Sequence, residues 1–312
     1  MPGRRGQYAW YGPGEPGAAS GELAPSEPDD ICFNCGPGGS QRRRGARVSR
    51  LPIKKTHKLF IGGAFPRSES GRTYDVEGQN VARASRKDAR DAVVAARKAQ
   101  PGWASATAYN RGQVLYRLAE MMEARTADLA AVCSGKREVE AAIDRVVWYA
   151  GWADKLAQVL GSSNPVAGPY FNFSFPEPTG VVAVLAPEEP ALAGLVSRLA
   201  PVIVSGNAAV VVASETHPLA SLELAEAIAT SDVPGGIVNI LTGRQEELAP
   251  VLAGHMDVNA IDLTGANGQA PELERLAADN VKRVVHGTAD EQSPWTIASF
   301  LELKTVWHPI GQ

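Results

Sequence analysis

The chain has 312 residues, 44% of them hydrophobic and 21% charged, with a net charge of −3 at neutral pH. That balance is ordinary for a globular protein and leaves no basic surplus with which to neutralise a phosphate backbone, so nucleic acid is not an expected partner. No apolar run reaches the roughly 20 residues of a membrane-crossing helix, the amino terminus lacks a signal-peptide core, and Cys32, Cys35 and Cys133 are too few for a disulfide framework. The expected location is therefore the cytoplasm, in reduced form and away from membranes.

Residues 1–50 differ from everything after them. They are rich in Gly, Pro, Ser and Arg without apolar periodicity, and read as a disordered, low-complexity segment. Cys32-Phe33-Asn34-Cys35 supplies two of the four ligands a structural zinc site needs, and the nearest histidine is His57, so no metal site is expected. Arg42-Arg43-Arg44 reads as a solvated charged tail. A further reading is that this segment is not translated, because the ordered pattern begins just after Val48 and an alternative GUG start decodes as valine inside a longer frame.

From Lys58 the pattern becomes regular. Lys58–Phe65 predicts a strand running into a Gly62-Gly63 turn, and Thr73–Ala84 a second extended piece. Ser85-Arg86-Lys87-Asp88 matches a capping box, and the helix it starts carries Ala89, Ala92, Val93 and Ala96 on one face and is expected to end at Pro101-Gly102. Two further amphipathic helices are expected, from Asn110 to about Val132 and from Arg137 to Leu160. Cys133, beside the Ser134-Gly135 break, reads as a small buried apolar residue. Tyr170–Phe175 alternates aromatic and polar residues, the mark of a half-exposed strand.

Pro176 to Gly265 is the organising block. The β-branched runs Val181–Leu185, Ala208–Val212, Ile237–Leu241 and Val258–Leu263 alternate with helix-period segments at Ala191–Ser205, His217–Thr230 and Gln245–Gly254. Strands buried on both faces are continuously apolar, so this pattern predicts an α/β fold with a Rossmann-like parallel sheet and flanking helices.

At this point the chain resembles the aldehyde dehydrogenase superfamily. Lys58–Phe65, Ser70–Val76, Ala89–Trp103, Asn110–Glu123 and Ser134-Gly135-Lys136 resemble its amino-terminal arm and first helices, in order. Glu177–Val184, Ser205-Gly206-Asn207, Ser214-Glu215 and Val233–Asn239 resemble its nucleotide-binding sheet, and Phe300–Trp307 its last strand, which helps hold its dimers together. The resemblance implies three regions: 1–50, low-complexity; 51–265, a nucleotide-binding domain; and 266–312, a residual helix near Pro271–Val285 plus a carboxy-terminal oligomerisation strand, in place of a catalytic domain.

The family's chemistry uses a cysteine thiolate that attacks the aldehyde and passes hydride to NAD(P), an asparagine donor to the oxyanion, and a glutamate base. No cysteine follows Cys133, the Glu-Leu-Gly-Gly context of the base is absent, and Pro187-Glu188-Glu189-Pro190 stands where the family has Pro-Trp-Asn. No catalytic residue is therefore expected. By the resemblance, Ala186, Pro187, Glu215, Gly236, Thr264 and Gly265 would line NAD or NADP. The hold on that cofactor is weakened or lost, since Val212 replaces the lysine that pairs with the ribose-binding glutamate and Gly265-Ala266-Asn267 replaces a Gly-Ser-Thr loop beside the pyrophosphate. Losing one charged hydrogen bond costs about 1.5–3 kcal/mol. Each carboxylate here also has a plainer reading: Glu188 and Glu189 in the first turn of the helix Ala191–Ser205, and Glu215 at the start of His217–Thr230.

The expectation that follows is a catalytically inactive aldehyde dehydrogenase-like protein, a structural or regulatory subunit that self-associates or joins a full-length relative. The alternative is an NAD(P)-dependent aldehyde oxidoreductase with an atypical site, using Glu188, Glu189 or Glu215 as acids and His217 or His255 as proton carriers. A third reading is a nucleotide sensor without turnover.

Overall fold

A computed structural model describes residues 53–311 of the chain. The expectations for residues 1–50, including the Cys32–Cys35 pair and the late translation start, lie outside the described residues. Strands β1 (Thr56–His57), β2 (Thr73–Val76) and β3 (Gln79–Ala82) form a small sheet in the order β1-β3-β2. The second extended piece is thus a hairpin: Glu77 and Gly78 both take positive φ, the geometry of a tight two-residue turn. Lys58–Phe65 forms no full strand. Phe60 makes a single antiparallel bridge to Ile240, and Ile61 one to Ala64.

The Ser85 capping box forms as expected at the head of α1 (Arg86–Ser105). The helix does not stop at Pro101 but continues one turn further. Trp103 provides the reason: its ring is buried and its Nε1 donates to the Ile203 carbonyl at 2.7 Å. The second expected helix is broken at Arg125 into α2 (Ala108–Ala124) and α3 (Thr126–Ala130). The third divides at Gly151 into α4 (Lys136–Ala150) and α5 (Leu156–Leu160).

Next come β4 (Ser162–Asn164) and β5 (Tyr170–Pro178), then the central unit of β6 (Val181–Leu185), α6 (Ala191–Val204), β7 (Ala208–Val212), α7 (Pro218–Thr230), β8 (Val238–Leu241), α8 (Gln245–Ala253) and β9 (Ala260–Asp262). The chain continues through α9 (Ala270–Ala278), β10 (Arg283–Val285), α10 (Pro294–Ala298) and β11 (Leu301–Pro309). The expected helix Pro271–Val285 therefore ends early, and its last residues form a fifth strand. Every pairing in the resulting sheet, ordered β10-β9-β6-β7-β8, is parallel. All residues of β6, β7, β8 and β9 are buried, which is why β6 and β7 are continuously apolar and why β8 and β9 break that run only at Asn239 and Asp262, both hydrogen-bonded. Helices α6 and α7 pack together with α2 and α4 behind them, while α8 packs between α1 and α9.

Strand β6 lies at the centre, with β7 and β8 on one side and β9 and β10 on the other. The chain reverses its direction of travel across the sheet there, and the crevice beyond the carboxyl ends of β6 and β9 is where open α/β sheets bind ligands. A separate sheet, β11-β5-β4, is antiparallel, with β5 and β11 paired from Tyr170–Pro309 to Pro178–Leu301. Asn207 ties it to the central unit: its Nδ2 donates to the Phe300 carbonyl at 2.8 Å and its Oδ1 accepts from Gly180 N at 2.6 Å. None of the helices among the described residues is long and apolar enough to cross a membrane.

Candidate functional site

Five of the six residues expected to line a cofactor meet at the switch-point crevice. Ala186 and Pro187 follow β6, Glu215 follows β7, and Thr264 and Gly265 follow β9. Gly265 allows the β9 loop to close on the β6 end: its N–H donates to the Leu185 carbonyl at 3.2 Å, and a Cβ there would collide with the Ala186 carbonyl. Gly236 does not join them. It precedes β8, at the amino edge of the sheet, where its φ of +94° and a Cβ position 2.8 Å from the Ala95 carbonyl oxygen serve packing against α1. His255 likewise lies between α8 and β9, at the amino edge and away from the crevice.

The polar groups of the crevice are already engaged within the chain. Glu215 does not serve α7, as the plainer reading expects. Its Oε1 accepts from the Gln245 N–H at 2.5 Å, capping α8, and its Oε2 pairs with Arg244 at 3.0 Å. Gln245, 2% exposed, reaches across and donates from Nε2 to the Gly265 carbonyl at 2.7 Å. The Thr264 hydroxyl donates to Asp262 Oδ1 at 2.6 Å, and the other Asp262 oxygen is held by Arg198 Nε at 2.7 Å. Asp262 and Arg198 are both fully buried.

Glu188 departs furthest from expectation. It is not a first-turn carboxylate of α6; it turns to the β7–α7 loop. Ser214 Oγ donates to it at 2.5 Å, Thr216 Oγ1 at 2.6 Å, and the backbone N–H groups of Glu215 and Thr216 at 3.2 Å each. Asn267 Nδ2, from the β9–α9 loop, donates at 3.3 Å. Burial pushes the Glu188 carboxyl up, but the Ser214, Thr216 and backbone donors outweigh it and hold the pKa below the usual carboxylate range. The first turn of α6 is instead served by Glu138 of α4, which accepts from Leu192 N at 2.7 Å and Ala193 N at 3.1 Å. Its pKa is likewise lowered: burial raises it, and the donors from Ser134, Ala193 and Leu192 prevail. Glu189 points outward, 3.6 Å from His217 Nε2. Those two line a cavity of about 250 Å³ together with Thr216, Gln79 and Cys133. The Cys133 thiol is half-buried and its pKa is raised, first by burial, which suits a packing role better than a nucleophile.

Sequence reasoning did not single out Glu138, Thr216, Gln245 or Asn267 as partners in this crevice. Only the dense run of hydroxyl and turn residues at Ser214–Thr216 hinted at local hydrogen bonding.

A sequence profile of the aldehyde dehydrogenase family matches residues 73–304. The chain is 32% identical over 260 residues to the cytosolic aldehyde dehydrogenase 1 of Elephantulus edwardii, covering 77% of this chain and 51% of that protein. It is 32% identical over 255 residues to retinal dehydrogenase 2 of Gallus gallus, covering 75% and 48%. Among solved structures, PnpE from Pseudomonas sp. WBC-3 superposes with a TM-score of 0.71 at 29% identity, covering 75% of this chain and 51% of that one. The NAD+ complex of an aldehyde dehydrogenase from Bacillus cereus gives 0.68 at 25% identity, covering 74% and 50%. The chain spans about half the length of these relatives.

Proposed function

From its membership of the aldehyde dehydrogenase family, to which this chain belongs, we propose that it acts as a non-catalytic subunit, structural or regulatory, in an oligomer formed with a second copy or with a full-length relative. The observation that carries this reading is the β5–β11 ladder, which keeps its full nine-residue length. Among the described residues strand β11 is its free edge, and every residue from Glu302 to Pro309 except the half-buried Val306 is exposed. A long edge strand with exposed Leu303 and Trp307 is a template for a second chain.

The chemistry of the crevice supports the same reading. Between β9 and β11 the chain runs through α9, β10 and α10 and carries no cysteine in residues 263–300. Glu188 and Glu189 stand where the family's oxyanion donor belongs, and a carboxylate there repels a developing negative charge. A relative solved with NAD+ favours a dinucleotide as the ancestral ligand, and the internally satisfied Glu215, Thr264 and Gly265 favour a weakened or lost hold on it. The cytosolic relative favours a cytoplasmic location.

Light scattering on the eluting native protein, combined with a native pull-down, tests the subunit role. The expected result is a dimer or larger species, or a co-purifying dehydrogenase, with no NAD(P) reduction by the purified chain across an aldehyde panel. A clean monomer without such a partner overturns the subunit reading, and aldehyde-dependent NAD(P) reduction restores the atypical oxidoreductase.

A further inference from the structure

We infer that Glu188 is a built-in anionic plug: its carboxylate occupies the place of a nucleotide's phosphate and closes the crevice to dinucleotides. The inference rests on reading this crevice as the family's nucleotide site and goes beyond it by naming the group that shuts it. Glu188 bridges two loops. On one side it takes four hydrogen bonds from Ser214, Glu215 and Thr216, the loop that the family resemblance gives to the adenosine ribose. On the other it takes one from Asn267, in the Gly265-Ala266-Asn267 loop that the resemblance places beside the pyrophosphate. A carboxylate spanning these loops stands where a diphosphate joined to that ribose would lie.

The donor set fits an anion. Two hydroxyls, two backbone N–H groups and one amide converge on a single acceptor, and this is the usual equipment for a phosphate oxygen in an α/β crevice. No cation reaches Glu188 among the contacts of the described residues, so its charge is dispersed by donors rather than cancelled. A second anion brought to the same donors would lose them to Glu188 and meet its charge at close range. The Glu215–Gln245–Gly265 chain of hydrogen bonds laces the same two loops together alongside it, so the plug sits in a crevice that is already narrowed.

The variants Glu188→Gln and Glu188→Ala test this on the full chain. The first keeps the size and removes the charge; the second also opens the space. Adenosine, ADP and NAD+ are titrated by calorimetry, with thermal melts by circular dichroism to confirm folding. The expected result is at least a tenfold gain in ADP and NAD+ affinity in both variants, larger in Glu188→Ala, with adenosine changed far less because it carries no phosphate. If Glu188→Ala does not fold, Glu188→Gln decides alone. Wild-type protein that binds ADP and NAD+ as well as the variants overturns the plug and leaves the nucleotide crevice standing. Absence of binding by all three ligands to every form overturns both. The subunit role is read separately, from oligomer mass.

Discussion

Arg198 is the largest fully buried side chain of the central unit, and its charge is matched by Asp262 on β9 and by Glu291 at 3.1 Å in the loop after β10. Removing one member of a buried pair leaves the other without a partner in a medium that solvates charge poorly. Arg198→Met should therefore lower stability by about 3–5 kcal/mol in urea unfolding, and adding Asp262→Asn should recover part of that loss. An unchanged midpoint in the single variant would mean that water reaches Asp262. Lys282 gives a pH signature at the opposite edge of the sheet. Its Nζ donates to the His255 and Val258 carbonyls, and burial pushes its pKa down to about 8. The unfolded lysine titrates near 10.4, so between these values the unfolded chain binds more protons and stability rises with pH. Below about 8 both states are protonated and the contribution is flat. The urea midpoint should climb between about pH 8 and pH 10 in the wild type, and Lys282→Met should abolish that climb. Glu138 and Glu188 act at the acid end with a slope of the same sign, since there too the unfolded chain binds more protons. Their lowered pKa values stabilise the fold above the ordinary carboxylate range and cease to do so as pH falls through them.

At the scale of elements, the capping box of α1 is where sequence and geometry agree most closely. Ser85 accepts from Lys87 and Asp88, and Asp88, 4% exposed, returns the contact while also accepting from Ser68 and Glu69. Ser85→Ala should cost about 1 kcal/mol, measured as a shift in urea midpoint, with the slope of the transition unchanged. A loss of several times that would mean Ser85 also positions the Ser68–Asp88 contact. The runs Val181–Leu185 and Ala208–Val212 were legible to the residue because burial on both faces demands unbroken apolar strands. Strand β10 was not. Leu273, Leu276, Ala277, Val281 and Val284 keep helical spacing straight through the true helix end, and only the folded chain shows Val281 92% exposed with a φ of +54°. The helix α1 was read too short for the converse reason: local chemistry stops it at Pro101, and the tertiary burial of Trp103 carries it on. The crevice was legible as a place but not as a state. The loops that form it are marked by their residues, whereas the partners of Glu188 lie 26 to 79 positions away and no local pattern encodes them.

At the scale of the whole molecule, the β11-β5-β4 sheet decides how this chain meets another. Three strands rarely persist in water without a face packed against something. Asn172 of β5 is buried, yet Leu303 and Trp307, which share one face of β11, are 62% and 59% exposed. Tyr170 meets Trp307 edge-on at 5.8 Å, so the aromatic patch is preformed rather than assembled on binding. The opposite face carries the ladder of Phe171, Phe173 and Phe175, with ring centroids 5.2 and 6.0 Å apart. If the edge and the Leu303–Trp307 face form the joint, two lysines placed there bury charge in the assembled state while costing the free subunit little. The variant Leu303→Lys/Trp307→Lys should weaken self-association at least tenfold and shift the mass in a dilution series toward the 33.0 kDa of one chain. Its far-ultraviolet circular dichroism should match the wild type, because both side chains are mostly exposed and the β5–β11 backbone pairing does not depend on them. Tyr116→Lys, an exposed aromatic on α2, is the control and should leave the mass as it was. An oligomer that survives the double change and yields to Tyr116→Lys would move the joint to the helical face, and the β5–β11 ladder would then be only an internal sheet.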